Sequence, residues 1–461
     1  MTLRMLLAAA AAFALPLPAL AQVAPMDPAA LRDAALHDDI AWDIAEGLTT
    51  EVGQRLAATE AEARGREWAV AKLKALGFQN VRIETFRMPL WVRGEEKAEI
   101  VSPFPQKLVI AALGNSGSTG PRGVEAEIAY FPTLADLEAA PESAVKGKIV
   151  FISHAMTATQ DGSSYGPFGQ ARRKGPAVAA SKGAVAVLIR SIGTDYHRNS
   201  HTGGTNWSKG MTPIAAAALP LPDAEQLERV IKRGQPVRMR LLITPQFKGE
   251  AESGNVIAEV PGSDPSAGIV LIGGHLDSWD QGTGAIDDAS GLAITTAAAK
   301  RIMDAGQPRR TIRVVWFGAE EPGGFGGEAY AKAHAGERHA TASESDFGAD
   351  RIWKFDVNLP ESAKAVTDRL TTALAPLGIA KGRAVAGDGT DVGPMMKLGV
   401  AAIDLAQDGT HYFDLHHTPD DTLDKIDPVQ LRQNVAAWTA MLAVVANAPE
   451  EIGPVTPRPG L

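Results

Sequence analysis

The chain has 461 residues, with 45 Lys and Arg against 54 Asp and Glu, a formal net charge of −9. That balance excludes a protein built to track nucleic-acid phosphates, which needs clustered basic side chains to displace counterions. Cysteine is absent, which excludes disulfides, thiolate metal sites and cysteine nucleophiles.

At about 150 residues per domain the length predicts two to three domains. Residues 1–21 read as a cleaved secretory signal. Arg4 precedes an apolar run from Met5 to Leu20, and Ala19-Leu20-Ala21 gives a small-x-small cleavage pattern before Gln22. The run contains Pro16 and Pro18 and is short for a bilayer span of about 20 residues. The mature chain is therefore expected free of the membrane, in the periplasm or secreted.

Residues 59–76 form an amphipathic helix pattern, with Ala69, Leu73 and Leu76 on one face and Gly77 as its stop. Residues 80–86 alternate like a half-buried strand. From 102 to 247 the texture changes. Short strands are predicted at 107–112, 124–131 and 148–152, then a helix at 176–182, a strand at 184–190, a helix at 224–232 and a strand at 237–244. This stretch reads as an inserted domain. After Glu252 an α/β rhythm returns, with buried strands at 269–273, 311–317 and 401–405 and a helix at 290–305 capped by Gly306. The expected fold is α/β, a largely parallel sheet with helices on both faces. Functional groups then belong outside the carboxyl ends of the strands.

Four polar clusters fit that rule. In Gly274-His275-Leu276-Asp277, Asp277 is placed to orient a metal-binding His275. In Gly284-Ala285-Ile286-Asp287-Asp288, one aspartate suffices as a helix cap, leaving Asp287, whose two oxygens can span two cations. Glu320 and Glu321 follow a hydrophobic strand; a division of labour has Glu321 bind metal and Glu320 take a proton from water. In the fourth cluster, His416 and His417 are adjacent, so their side chains should diverge and only one should ligate, with Asp421 supporting that ring. Nitrogen and oxygen donors without thiolate suit a catalytic zinc site with an open position.

The ordered set HLDSWD (275–280), GAIDDASG (284–291), FGAEE (317–321), ESDFG (344–348), GTD (389–391) and HHTPDDT (416–422) resembles the M28 family of dinuclear zinc exopeptidases. Within it the chain is most similar to the carboxypeptidase Q group, through HLDSWD, ESDFG, GTD, RGEE (93–96), VAVLIRSI (185–192) and SHTG (200–203). The resemblance implies an aminopeptidase-like domain formed by 22–101 and 252–450, interrupted by a β-rich protease-associated (PA) insertion at 102–247, with a C-terminal tail at 451–461.

Carried over residue by residue, the resemblance implies two zinc ions per chain. His275 and Asp346 would hold one, Glu321 and His417 the other, with Asp287 shared. It selects Asp346, where composition leaves Asp350 and Asp356 equally open, and His417 over His416. It makes Glu320 the general base toward a metal-activated water and Asp277 the residue that orients His275, and it implies a cis peptide after Asp287. His201, Asp391 and His416 become substrate contacts. The implied activity is hydrolysis of dipeptides or short peptides with free termini; an aminopeptidase of broader specificity and a non-catalytic binding protein are the alternatives. Arg172, Arg173, Arg190 and His201 are candidates for holding a substrate carboxylate. The partner expected is a peptide, with no nucleic acid, and the family includes homodimers.

Overall fold

The computed structural model describes residues 26–387 and 389–457; the signal segment expected at 1–21 lies outside the described residues. Two eight-stranded sheets organise the chain. The first runs Gln79–Val92, Gln246–Val260, Ile312–Phe317, Ile269–His275, His339–Glu344, Ala401–Gln407, Ile352–Asn358, Ala380–Lys381. Its four central strands, from Ile312–Phe317 to Ala401–Gln407, are mutually parallel. Antiparallel pairs flank them on both sides, so the sheet is mixed.

The apolar runs of this sheet are buried on both faces, as parallel strands covered by helices require. Val256, Ala258, Val270, Ile272, Val314 and Trp316 enter one layer of core. Their alternates Ile257, Leu271, Val315 and Phe317 enter the opposite layer. The first layer is closed by helices Ser290–Ala305 and Pro428–Val445, the second by Phe325–His334 and Gly393–Lys397. Helix Ser290–Ala305 is buried all round from Ser290 to Ala299. Its Ala, Gly and Thr side chains let it lie close to the sheet, and Thr296 Oγ1 accepts the Trp316 indole N–H at 3.0 Å.

The second sheet takes the chain from Glu96 to Ile243 and has its own core, including Ile100, Phe151, Leu188, Leu227 and Leu241. It is interposed between Gln79–Val92 and Gln246–Val260, which pair with each other. Strand Glu96–Ser102 pairs with Arg238–Ile243, so the chain leaves the first sheet after Val92, earlier than the boundary at 101 expected from texture. The single strand expected at 107–112 is two, Gln106–Leu108 and Ala111–Ala112, at opposite edges of this sheet. Residues 451–457 are also more than a tail: Ile452 is buried and the Val455 N–H donates to the Gly399 carbonyl at 2.9 Å.

Periodicity alone does not mark strand Gln246–Val260, because its first half is exposed and its second half is buried on both faces. His339–Glu344 is likewise inconspicuous, being short and made of small and polar residues. Among the described residues, no helix is long and apolar enough to cross a membrane.

Trp316 is fully buried between the sheet and helix Ser290–Ala305. Trp316→Ala is expected to lower unfolding stability by about 3–5 kcal/mol, read as a shifted urea midpoint at unchanged slope.

Candidate metal centre

All four clusters converge at the carboxyl ends of the parallel strands. His275 ends strand Ile269–His275, Glu320 and Glu321 follow Ile312–Phe317, and Asp346 follows His339–Glu344. His416 and His417 arrive after Ala401–Gln407 through the short helix Tyr412–Leu415.

Asp287 stands at the middle. Its Oδ1 lies 3.0 Å from His275 Nε2 and its Oδ2 lies 3.3 Å from His417 Nε2. His275 Nε2 is also 3.3 Å from Asp346 Oδ1, and His417 Nε2 is 2.9 Å from Glu321 Oε2. Three donor sets could hold a cation: Asp287 with His416 and His417, His275 with Asp288 and Asp346, and His275 with Asp287 and Glu321. Asp288 is already committed. Its Oδ1 accepts the Gly291 N–H of the following helix and its Oδ2 accepts the His275 N–H, so it is the cap of the pair. The approach needs Gly274, where a Cβ would stand 2.1 Å from Asp288 Oδ2. The Asp287–Asp288 peptide is cis.

Asp287 Oδ2, Glu321 Oε1 and Asp346 Oδ1 are buried without a hydrogen-bond partner among the described residues. Buried carboxylates crowded in this way are costly unless cations compensate them. The residues present therefore fit divalent cations, with Asp287 placed between the two imidazoles.

The adjacent histidines do not diverge as expected. His417 adopts φ 61°, which turns both side chains to one side, and the rings stack with centroids 3.5 Å apart. His416 Nε2 is 3.6 Å from Asp287 Oδ2 but among the described residues is paired with no second carboxylate, whereas His417 meets both Asp287 and Glu321. Burial, then the neighbouring His417, holds the His416 imidazole well below its usual range.

The supporting carboxylates act mainly through the backbone. His275 Nδ1 donates to the main-chain carbonyl of Asp277 at 2.8 Å; the Asp277 carboxylate is 3.8 Å from that nitrogen and instead accepts the Glu320 and Glu321 N–H groups at 3.0 and 3.3 Å. Asp421 does not support His417. Its Oδ1 accepts the Ala285 and Ile286 N–H groups at 2.7 Å each, fixing the turn that presents Asp287. The acceptor beside His417 Nδ1 is the Thr202 carbonyl, at 3.3 Å, from the second sheet's segment. Arg93 secures that segment: it pairs with Asp280 and Glu96 and donates to Thr202 Oγ1 at 3.1 Å.

Two expected substrate contacts lie elsewhere. His201 is 1% exposed and links Asp195 Oδ1 to the His416 carbonyl, each at 2.6 Å; it braces the loop rather than meeting the cleft. Asp391 is equally buried, and its neighbour Thr390 lines the cleft in its place. His416 does line it. The cleft holds about 440 Å³ between Glu320, Glu321 and Asp346 on one side and Tyr165, Arg172 and Arg173 on the other. Asp350 and Asp356 stay out of the centre, Asp356 pairing with Lys354 at 3.0 Å. Arg55 has no sequence signal at all. It is fully buried and donates to the carbonyls of Gly53, Leu276, Thr283 and Gly284, tying the two metal-site loops together.

Residues 255–442 match the model of peptidase family M28. Carboxypeptidase Q of Bos taurus is 34% identical over 406 residues, covering 87% of this chain and 84% of the relative. The chain belongs to peptidase family M28. This M28 metallopeptidase also resembles the crystal structure of a peptidase M28 precursor from Shewanella amazonensis, with TM-score 0.91 and 46% identity over 94% of this chain and 98% of that one. A zinc aminopeptidase from Bacillus subtilis, at 19% identity and TM-score 0.66 over 90% of this chain and 97% of its own, shares the fold.

Burial and like charges push carboxyls around the centre upward: Glu344 to about 8, Asp421 to about 7 and Asp277 to about 6. Folded protein stripped of cations thus retains protons that the unfolded chain has released. Its stability must fall as pH rises from about 5 to about 8. Melting curves in chelator across that range are expected to show this fall, and added divalent ion to reverse it most at the alkaline end.

Proposed function

We propose that this M28 metallopeptidase is a zinc-dependent exopeptidase hydrolysing dipeptides or short peptides with free termini. The observation that carries the reading is Asp287 spanning two imidazole–carboxylate sets at the floor of one cleft. His275 and Asp346 would hold one zinc, His417 and Glu321 the second, and Asp287 both. When bound, the pair supplies Lewis acidity to the attacking water and the scissile carbonyl.

Glu320 is free for proton transfer. Asp277 fixes its main chain, and its side chain lines the cleft without belonging to either donor set. It takes the proton of the attacking water and returns it to the leaving amine. Asp277 also holds the His275 ring through its carbonyl, so one residue sets the orientation of both a ligand and the base.

The preference for short substrates is supported by the second sheet's segment, which brings Tyr165, Arg172, Arg173, Gly204 and Asn206 over the cleft. We read that sheet as the PA-type insertion and 1–21 as an export signal, which would put the activity in the periplasm or outside the cell. The name carboxypeptidase Q, borne by the 34% identical relative, supports the exopeptidase reading.

Glu320→Ala is expected to lower kcat by about 10²–10⁴-fold while two zinc ions per chain remain. Metal analysis paired with dipeptides bearing free or blocked termini checks both parts. Loss of zinc together with activity would remove Glu320 from the role of base, and equal cleavage of blocked substrates would remove the requirement for free termini.

A further inference from the structure

Four basic side chains of the second sheet's segment could meet a substrate carboxylate, and the structure separates them by what they already hold. Arg190 lies beside Glu225 and Glu228 and donates to Ser153. His201 is closed between Asp195 and the His416 carbonyl. Arg172 is 5% exposed and donates to the Thr202 carbonyl and the Tyr165 hydroxyl, backing the His417 ring. Arg173 is different. Its Nη2 donates to the Gly166 carbonyl at 2.8 Å, and among the described residues its Nε and Nη1 bond to no acceptor and its charge meets no carboxylate.

We propose that Arg173 anchors the C-terminal carboxylate of the substrate, which makes it a specificity residue of the exopeptidase site. The inference rests on the exopeptidase reading above. The guanidinium is held in place without being neutralised. It packs over the Tyr165 ring at 5.6 Å from the centroid, and Gly169 makes room for it, since a Cβ there would stand 2.6 Å from Nη1. The Arg173 carbonyl accepts the Asn206 N–H at 3.0 Å, so its main chain is pinned as well. A guanidinium with a free edge matches a carboxylate with two parallel N–H···O bonds.

The charge distribution of the cleft gives this anchor a direction. Arg173 shares the cleft with Asp287, Glu320 and His417. Beyond Asp346 and Phe347 a second cavity of about 330 Å³ carries Asp161, Glu344 and Asp404, and its one lysine, Lys354, is paired with Asp356. Among the described residues lining these two cavities, an incoming carboxylate therefore finds its uncommitted cation on the Arg173 side of the centre.

The test compares a free dipeptide with the same dipeptide as its C-terminal amide, using zinc-loaded enzyme. Wild type should favour the free acid by about 10- to 100-fold in kcat/KM, the range of a hydrogen bond to a charged group. Arg173→Ala should bring that ratio close to one by raising KM for the acid, with kcat changed far less, and Arg173→Lys should recover part of the preference. Arg173→Gln gives the same comparison should the alanine variant fold poorly by thermal melting. An acid-to-amide ratio unchanged in Arg173→Ala or Arg173→Gln overturns the anchor while leaving the exopeptidase intact. Wild type that cleaves neither dipeptide overturns the exopeptidase reading and the anchor with it.

Discussion

The architecture is organised around excess negative charge held away from water. Asp287, Glu320, Glu321 and Asp346 gather at one end of the parallel strands, with Asp277, Glu344 and Asp421 close behind. Burial works against an ionised Asp287, yet the His275 hydrogen bond and the nearby His417 hold it well below the ordinary carboxylate range. Burial, then the charge of the neighbouring carboxylates, pushes Glu320, Glu321 and Asp346 upward against the pull of His275. Such a pocket is tolerable only because rigid elements fix every member and because cations can complete it.

Rigidity comes from carboxylates that grip the backbone. Asp288 ties the His275 N–H to the start of helix Ser290–Ala305, Asp421 ties the Asp287 turn, and Asp277 ties the Glu320–Glu321 turn. Each converts a loop into something nearly as stiff as the strand before it. Arg55 does the same from the positive side, with carbonyl oxygens as its partners.

Much of this was legible in the amino-acid order. The strands ending at His275 and Phe317 are apolar runs followed at once by chemistry-bearing residues, and a helix 16 residues long sits where its cap and Gly306 predict. Residue type marks Asp287 as a carboxylate able to span two cations; its pairing with His275 and with His417 rather than His416 is what the M28 resemblance implies. What could not be read has a physical cause. The Thr202 carbonyl carries no side-chain signature, and its partner His417 is 215 positions away. Asp421 looks suited to supporting a ring because its type permits that, but only the fold decides that two amide N–H groups reach it first. The stacking of His416 on His417 depends on one positive φ, which no property of histidine foretells.

The interposed sheet is thus wired into the catalytic floor. Arg93, at the point where the chain crosses from one sheet to the other, clasps Asp280 of the metal-site loop, Glu96 of the second sheet and Thr202 beside His417. The two lobes are not interchangeable modules. A chimera receiving its outer lobe from another protein would have to rebuild both the acceptor beside the His417 imidazole and the clasp on Asp280, so that lobe cannot be exchanged without disturbing the floor it covers.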